Sequence, residues 1–287
     1  MGILIGLIPA LGWGLQSIVM QKIGGKYTNK TLGMTFTTVL FGVVAFLFYR
    51  PELTANLLWG AILSGLCWSV GQILQVKSFD LIGVSKAMPI STGEQLVVTT
   101  LLGAILLKEW THGWQYWLGV PALAIIILGV TLTTIQDHQS SEDQGSNVKL
   151  GMLVLAISTL GMAGYAVFPQ VFHLNGWDVL LPQSIAMMVG VMILSSFQKG
   201  NEMFGKKTWQ NMLTGICFGI ANIGLLFSNQ MNGVAVGFTL SQINVVVATL
   251  GGIWVLHELR SHREMKYTLW GLALVVIGAI MIGITKQ

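Results

Sequence analysis

Ten apolar runs of about 20 residues follow one another along this chain of 287 residues. An α-helix rises 1.5 Å per residue, so a run of roughly 20 apolar residues is long enough to cross the hydrocarbon core of a bilayer. The runs are 2–21, 31–49, 57–76, 84–107, 115–135, 149–172, 179–198, 208–230, 233–256 and 267–285. Because only short loops remain between them, the pattern predicts an all-α membrane protein with ten transmembrane helices.

Composition and motifs exclude several classes of function. Only 9% of the residues are charged, whereas a soluble domain has about 25%. The net charge of +4 comes from single Lys and Arg residues between apolar runs, and a nucleic-acid-binding protein would collect them on one face. Metalloprotease, nucleophile-elbow and paired-cysteine motifs are absent from the sequence. We therefore expect no nucleic acid, no metal, no cofactor and no enzymatic activity.

The chain contains an internal repeat. Residues of the second half match those of the first at an offset of about 150, and the matches include Trp59 with Trp209, Cys67 with Cys217, Ser91 with Ser241 and Glu109 with Glu258. The long polar stretch 136–148 separates the halves, and its Ser, Asp, Gln and Gly content is typical of a flexible linker. We predict five-helix repeats at 1–135 and 149–287.

The basic residues predict the orientation of the two halves. All but three of the 15 Lys and Arg residues follow the odd-numbered spans; the exceptions are Arg50, Lys108 and Lys286. The positive-inside rule then puts the linker in the cytoplasm and both termini outside. Because each half has an odd number of spans, the halves are inserted in opposite orientations. Such inverted repeats, with a site near the bilayer midplane, are typical of secondary transporters.

One carboxylate, Glu94, lies well inside a predicted span, in the segment MPISTGEQ at 88–95. A charged side chain at the bilayer centre costs at least ~2.5–3.5 kcal/mol, so such residues usually face a cavity or a partner. Pro89 weakens the helix here, and local unwinding is expected to present Ser91, Glu94 and Gln95 on one face. Glu94 is predicted to carry a proton or to accept a hydrogen bond from a sugar hydroxyl. The alternatives are a carboxyl group held by its neighbours and one that lies nearer the membrane interface.

Amide and aromatic side chains within the other spans complete the predicted site. They are Trp13 and Gln16 in the first span, Trp68 and Gln72 in the third, Tyr165 in the sixth, Asn222 in the eighth, and Gln242 and Asn244 in the ninth. An amide both donates and accepts, and an aromatic ring packs on the C–H face of a sugar. The set favours a neutral polyhydroxylated ligand over a lipophilic cation. For any single amide, hydrogen bonding between helices is the alternative.

Three segments carry a resemblance to a known family. GVSKAMPISTGEQL at 83–96, GVAVGFTLSQ at 233–242 and TLGGI at 249–253 resemble the bacterial glucose/ribose porter family of the drug/metabolite transporter superfamily, and the similarity extends over the whole chain. The resemblance implies uptake of a monosaccharide, glucose or ribose, with a proton as the coupling ion. It also implies a central cavity lined by spans one, three, four, six, eight and nine.

The sequence thus predicts a proton-coupled sugar importer of the bacterial plasma membrane, either a monomer or a homodimer. An exporter of amino acids or other metabolites would use the same architecture and is the first alternative. A membrane sensor or partner subunit that transports nothing is the second. Binding competition between sugars and amino acids separates the first two functions, and reconstitution of the purified protein separates both from the third.

Overall fold

The computed structural model describes residues 2–105, 108, 110–135, 145–198, 203–232 and 240–285. All regular secondary structure in these ranges is helical. The helices are α1 Gly2–Ile23, α2 Tyr27–Tyr49, α3 Ala55–Ile82, α4 Val84–Ile105, α5 Gly113–Thr133, α6 Gly145–Val171, α7 Gly176–Ser196, α8 Lys206–Gln210, α9 Met212–Asn232, α10 Asn244–Trp254 and α11 His262–Thr285. Eight spans in this part of the chain are long and apolar enough to cross a membrane, with α8 and α9 contributing to one of them. The prediction of an all-α, multi-pass membrane protein is therefore confirmed.

Two of the ten predicted spans are not among these eight. The fourth corresponds to α4, which is long enough at 22 residues but carries Lys86, Glu94 and several hydroxyl side chains. The ninth corresponds to α10, a shorter apolar helix of 11 residues, while residues 233–239 lie outside the described part of the chain. The count of ten spans therefore stays a prediction.

Helix α4 differs from the expected local unwinding, because it is continuous from Val84 to Ile105 with Pro89 inside it. Pro89 lies in the second turn, where its missing N–H removes one backbone hydrogen bond without ending the helix. Helix α3 reaches Ile82, and the single residue Gly83, with φ of +79°, separates it from α4. At the linker, α6 already begins at Gly145, and residues 136–144 lie outside the described ranges.

Close helix pairs build the bundle: α1 packs on α9, α3 on α6, α2 on α7 and α5 on α11. Glycines bring the backbones together, as small residues do in membrane helices. A Cβ atom at Gly12 would lie 2.8 Å from the carbonyl oxygen of Cys217, and one at Gly161 would lie 2.7 Å from that of Cys67. Helix α1 therefore packs closely on the second half, and helix α6 packs closely on the first half.

Hydrogen bonds join helix ends at both ends of the bundle. At the end that contains Gly83, the buried Lys30 of α2 donates to Asp80 of α3 at 2.5 Å and to Gln21 of α1 at 2.6 Å. At the opposite end, Asn56 of α3 donates to the Phe172 carbonyl at 2.8 Å, after the last turn of α6. Helix α1 consequently ends where α2 begins and α3 ends, and α6 ends where α3 begins. We call these the Gly83 end and the opposite end.

Candidate substrate site

A central cavity of about 190 Å³ lies between the two halves of the chain. Residues of α1, α3, α4, α6, α9 and the start of α10 line it, the same six predicted spans that the resemblance implied. All but two of the predicted substrate residues are there: Trp13, Gln16, Trp68, Gln72, Gln95, Tyr165, Gln242 and Asn244. The structure therefore brings together side chains that are up to 231 positions apart in the chain, between Trp13 and Asn244.

Further lining residues were not predicted, and half of them have a repeat-matched counterpart that also lines the cavity. Phe218, the counterpart of Trp68, has its ring centroid 5.5 Å from the indole of Trp68. Met162, the counterpart of Trp13, and Thr92, the counterpart of Gln242, also line the cavity. The repeat could have predicted them, because when a residue lies near the interface of two related halves, its counterpart in the other half lies there too.

Three buried polar atoms of the lining have no hydrogen-bond partner among the described residues. They are the indole Nε1 of Trp13, the amide Nε2 of Gln72 and the amide Oδ1 of Asn244. Gln72 is 3% exposed and Asn244 is 8% exposed. Buried polar groups are normally paired, so two donors and one acceptor at one cavity point to a ligand that can both accept and donate. A hydroxyl group does both.

Ser91 lies behind the cavity wall and contacts two residues of that wall. It is fully buried, and its Oγ accepts hydrogen bonds from Gln75 Nε2 at 2.7 Å and from Gln95 Nε2 at 2.8 Å. Both glutamines line the cavity, so the serine fixes the orientation of two amides of the lining. Asn222 lies on α9 but is not among the lining residues.

Glu94 faces away from the central cavity, so the expectation that Ser91, Glu94 and Gln95 share one site is not met. Its carboxylate Oε2 accepts a hydrogen bond from Thr159 Oγ1 of α6 at 2.8 Å. Both residues line a second, mainly apolar cavity of about 380 Å³ between α4, α5 and α6. Ile127 and Leu160 of its wall are 53% and 67% exposed, which places this cavity at the outer surface of the helix bundle. Helix α4 therefore separates Glu94 from the predicted substrate residues.

The central lining is electrically neutral. Among the described residues that form it there is no Asp, Glu, Lys, Arg or His. Its polar groups are amides, hydroxyls and the indole N–H groups of Trp13 and Trp68, and its apolar groups are mostly aromatic or Met side chains. No group of three His, Cys, Asp or Glu residues that could hold a metal ion occurs in the described ranges.

Comparison with known proteins assigns the chain to a family. A family model described as sugar transport protein matches residues 4–285. The chain belongs to this sugar transport protein family. The match covers nearly all of the sequence, including every helix that lines the central cavity, and it confirms the resemblance seen in the three segments.

Named relatives cover the whole chain. A protein of Listeria monocytogenes, provisionally named a sugar uptake protein, is 44% identical over 100% of both chains. The glucose uptake protein of Bacillus subtilis is 41% identical over 100% of this chain and 99% of its own. A crystal structure with 16% identity matches 98% of this chain and 96% of its own with a TM-score of 0.64, which shows a shared fold. The two relatives from L. monocytogenes and B. subtilis are named for uptake and not for catalysis, as the prediction of a transporter requires.

Proposed function

We propose that this protein is a secondary transporter that imports a monosaccharide, glucose or ribose, by alternating access. The observation that carries the proposal is the neutral central cavity with the unpartnered Trp13 Nε1, Gln72 Nε2 and Asn244 Oδ1. When these side chains turn their unpaired atoms towards the cavity, sugar hydroxyls can accept from the first two groups and donate to the third. The names of the family and of the glucose uptake protein of B. subtilis support the same class of substrate.

Charge complementarity favours a neutral solute over the alternative of an amino acid. An amino acid carries a carboxylate and an ammonium group, and burying either without a charged or strongly polar partner is costly. The described cavity lining offers neither a cation nor an anion. The same argument disfavours sugar phosphates, because proteins bind a charged phosphate group with Arg or Lys side chains.

Size and shape also fit a small sugar. A cavity of about 190 Å³ is smaller than the ~300–1,000 Å³ of pockets that hold drug-sized ligands. The rings of Trp68 and Phe218 lie 5.5 Å apart at an angle of 49° and offer the sugar an apolar surface. Tyr165 and Trp13 add further aromatic surface. The C–H faces of a sugar can therefore pack on aromatic rings, while its hydroxyls contact the polar groups of the lining.

Repeat-matched contacts support an inverted repeat and hence alternating access. The pairing of Gly12 with Cys217 corresponds to that of Gly161 with Cys67. Cavity residues likewise occur in matched pairs: Trp13 with Met162, Gln16 with Tyr165, Ser17 with Ala166, Trp68 with Phe218, Thr92 with Gln242 and Gln95 with Asn244. A site between two halves of opposite orientation can open to either side as the halves exchange conformations.

The distribution of charges supports a cytoplasmic Gly83 end. Lys30, Lys86 and Lys207 all lie near this end, at the start of α2, α4 and α8. Basic residues concentrate on the cytoplasmic side of membrane proteins. In this orientation both termini face outwards, and the opposite end of the bundle is the external one.

Proton coupling through Glu94 is proposed as an effect transmitted by α4. Glu94 immediately precedes Gln95, which lines the sugar cavity, while its own carboxylate contacts Thr159 next to the bilayer. A charged carboxylate is costly in this apolar setting, so gain or loss of the proton changes how well α4 fits against α5 and α6. Movement of α4 then alters the position of Gln95 and Thr92 in the cavity.

Uptake by the purified protein in liposomes tests the proposal. Labelled glucose and ribose are added outside, with and without an inside-alkaline pH gradient. We expect one of them to accumulate above its outside concentration only when the gradient is present. If the sugar only equilibrates, to the same level with and without the gradient, the proposed proton coupling is wrong. Failure of the wild-type protein to move either sugar would remove sugar transport itself and favour the exporter or sensor.

A further inference from the structure

The carboxylate of Glu258 reaches from one half of the protein to the other. Its Oε1 accepts a hydrogen bond from the backbone N–H of Val84 at 2.7 Å, and its Oε2 accepts one from Ser85 N–H at 2.8 Å. These donors belong to the first turn of α4, where N–H groups have no partner within the helix. Glu258 follows α10, so a second-half side chain caps a first-half helix.

The backbone on both sides is shaped for this contact. Gly83 has φ of +79°, and a Cβ atom there would lie 2.8 Å from a carboxylate oxygen of Glu258. In α10, a Cβ atom at Gly252 would lie 2.9 Å from the Ser85 nitrogen. Both positions therefore require glycine for the segments to approach so closely. A cap that needed only to satisfy α4 would not require this fit on the α10 side.

Arg260 reinforces this contact of Glu258 with the start of α4, which we call the junction. Its guanidinium makes longer contacts to Ser85 Oγ at 3.4 Å and to the Thr133 carbonyl at 3.5 Å, at the end of α5. Burial lowers the pKa of Arg260, while the carboxylates of Glu264 and Glu258 raise it; an arginine stays charged throughout. The segment 257–260 is thus packed against both α4 and α5.

The junction lies close above the cavity. Met88 is the cavity-lining residue of α4 nearest to the Gly83 end, and five residues of helix separate it from Gly83 by about 7.5 Å. Helices α4 and α10 also pack on each other. If the start of α4 and the end of α10 separate, the cavity loses its cover at this end.

We propose that Glu258 is the positioning residue that closes the transport path at the Gly83 end by holding α4 against the segment after α10. Opening at this end requires both backbone hydrogen bonds to Val84 and Ser85 to break. Glu258 touches no substrate; it acts by fixing α4, which carries Met88, Thr92 and Gln95. The proposal rests on the proposed function for its meaning, but its test reads access to the cavity and needs no sugar.

The test measures access with a membrane-impermeant thiol reagent on the full-length protein. Cys67 and Cys217 are replaced by Ser, and Met88→Cys provides a single label site in the cavity. We expect Glu258→Ala to increase the labelling rate from the Gly83 end about tenfold, because two charge-assisted hydrogen bonds that hold the closed form are lost. Glu258→Gln, which keeps one acceptor oxygen, should give a smaller increase.

A second label site and a matched control separate closure from simple stabilisation. With Thr99→Cys, farther along α4 in the same cavity, labelling from the opposite end should become slower in Glu258→Ala. Asn175→Ala removes another capping side chain, which accepts from Trp177 N–H at 3.0 Å at the start of α7, a helix that contributes no residue to the cavity lining. It should lower the melting temperature without changing either labelling rate.

The outcomes are distinct. If Glu258→Ala lowers the melting temperature but leaves labelling at both sites unchanged, as expected for Asn175→Ala, Glu258 is only a helix cap and the proposal is overturned. If labelling responds as expected while wild-type protein moves no sugar in liposomes, the closure stands and the proposed substrate fails.

Discussion

At the scale of single residues, the unpartnered amide of Gln72 is the sharpest test of the sugar site. Its Nε2 is buried at the cavity without a protein partner among the described residues. Replacing Gln72 by Leu keeps a similar volume and removes the donor. We expect the Kd for the transported sugar to rise about tenfold, with no loss of melting temperature because no protein hydrogen bond is broken. Isothermal titration and thermal unfolding in detergent measure the two quantities.

Gln183 provides the matched control. It is a buried amide too, but its Nε2 donates to Ser64 Oγ at 2.7 Å, between α7 and α3. Gln183→Leu should therefore lower the stability by about 1 kcal/mol and leave the Kd unchanged. Equal effects of both substitutions on the Kd would contradict the assignment of Gln72 to the site.

Glu94 carries the second prediction at this scale. Glu94→Gln keeps the shape of the side chain and its acceptor for Thr159 but cannot exchange a proton. We expect gradient-driven accumulation of sugar to be abolished while exchange of labelled for unlabelled sugar continues, both measured in liposomes. Glu52→Gln, in the exposed loop between α2 and α3, is the control and should behave as wild type. Accumulation at the wild-type level in Glu94→Gln would end the proton-carrier role.

At the scale of helices, the contact of α6 with α3 depends on backbone approach at Gly161. A Cβ atom there would lie 2.7 Å from both the Cys67 oxygen and the Gly71 nitrogen, and backbone atoms cannot move aside as a flexible side chain does. Gly161→Ala should thus cost ~1–3 kcal/mol. Thermal unfolding in detergent should show the loss as a lower melting temperature.

The control at this scale is Gly113→Ala, at the start of α5, where an added Cβ has nothing within 4 Å. It should leave the melting temperature unchanged or raise it slightly, since Ala is the better helix former. A similar decrease in both variants would contradict the prediction, because it would show that the close contact of α3 and α6 at Gly161 is not the cause of the loss.

At the scale of the whole molecule, the two halves are expected to have opposite orientations. Five spans separate the linker from the C-terminus in the predicted topology, and an odd number places them on opposite sides of the membrane. An epitope inserted at the linker should be reached only from the cytoplasm, and one at the C-terminus only from outside. An epitope at Gly24–Gly25, between α1 and α2, should behave like the linker. Exposure of the linker and C-terminal epitopes on one side would contradict the inverted repeat.

The sequence indicated most of the cavity because apolar runs, helical spacing and the repeat are all local or periodic properties. Gln72 and Trp68 lie four residues apart and so share a helix face, and the structure turns that face to the cavity. Phe218 and Met162 were missed because an apolar side chain in an apolar span has no contrast with its neighbours. Their roles in binding, like those of the predicted residues, stay predictions.

What the sequence by itself determined is the helical membrane class, the family and the set of polar residues available to a site. What only the tertiary structure decided is the direction in which each of them points. Spacing placed Ser91, Glu94 and Gln95 on one side of α4, but the rotation of that helix is fixed by its packing against α5, α6 and α10. This packing turns Gln95 to the cavity, buries Ser91 behind it and aims Glu94 at Thr159. The rotation depends on contacts between residues far apart in sequence, which periodicity within one helix does not contain.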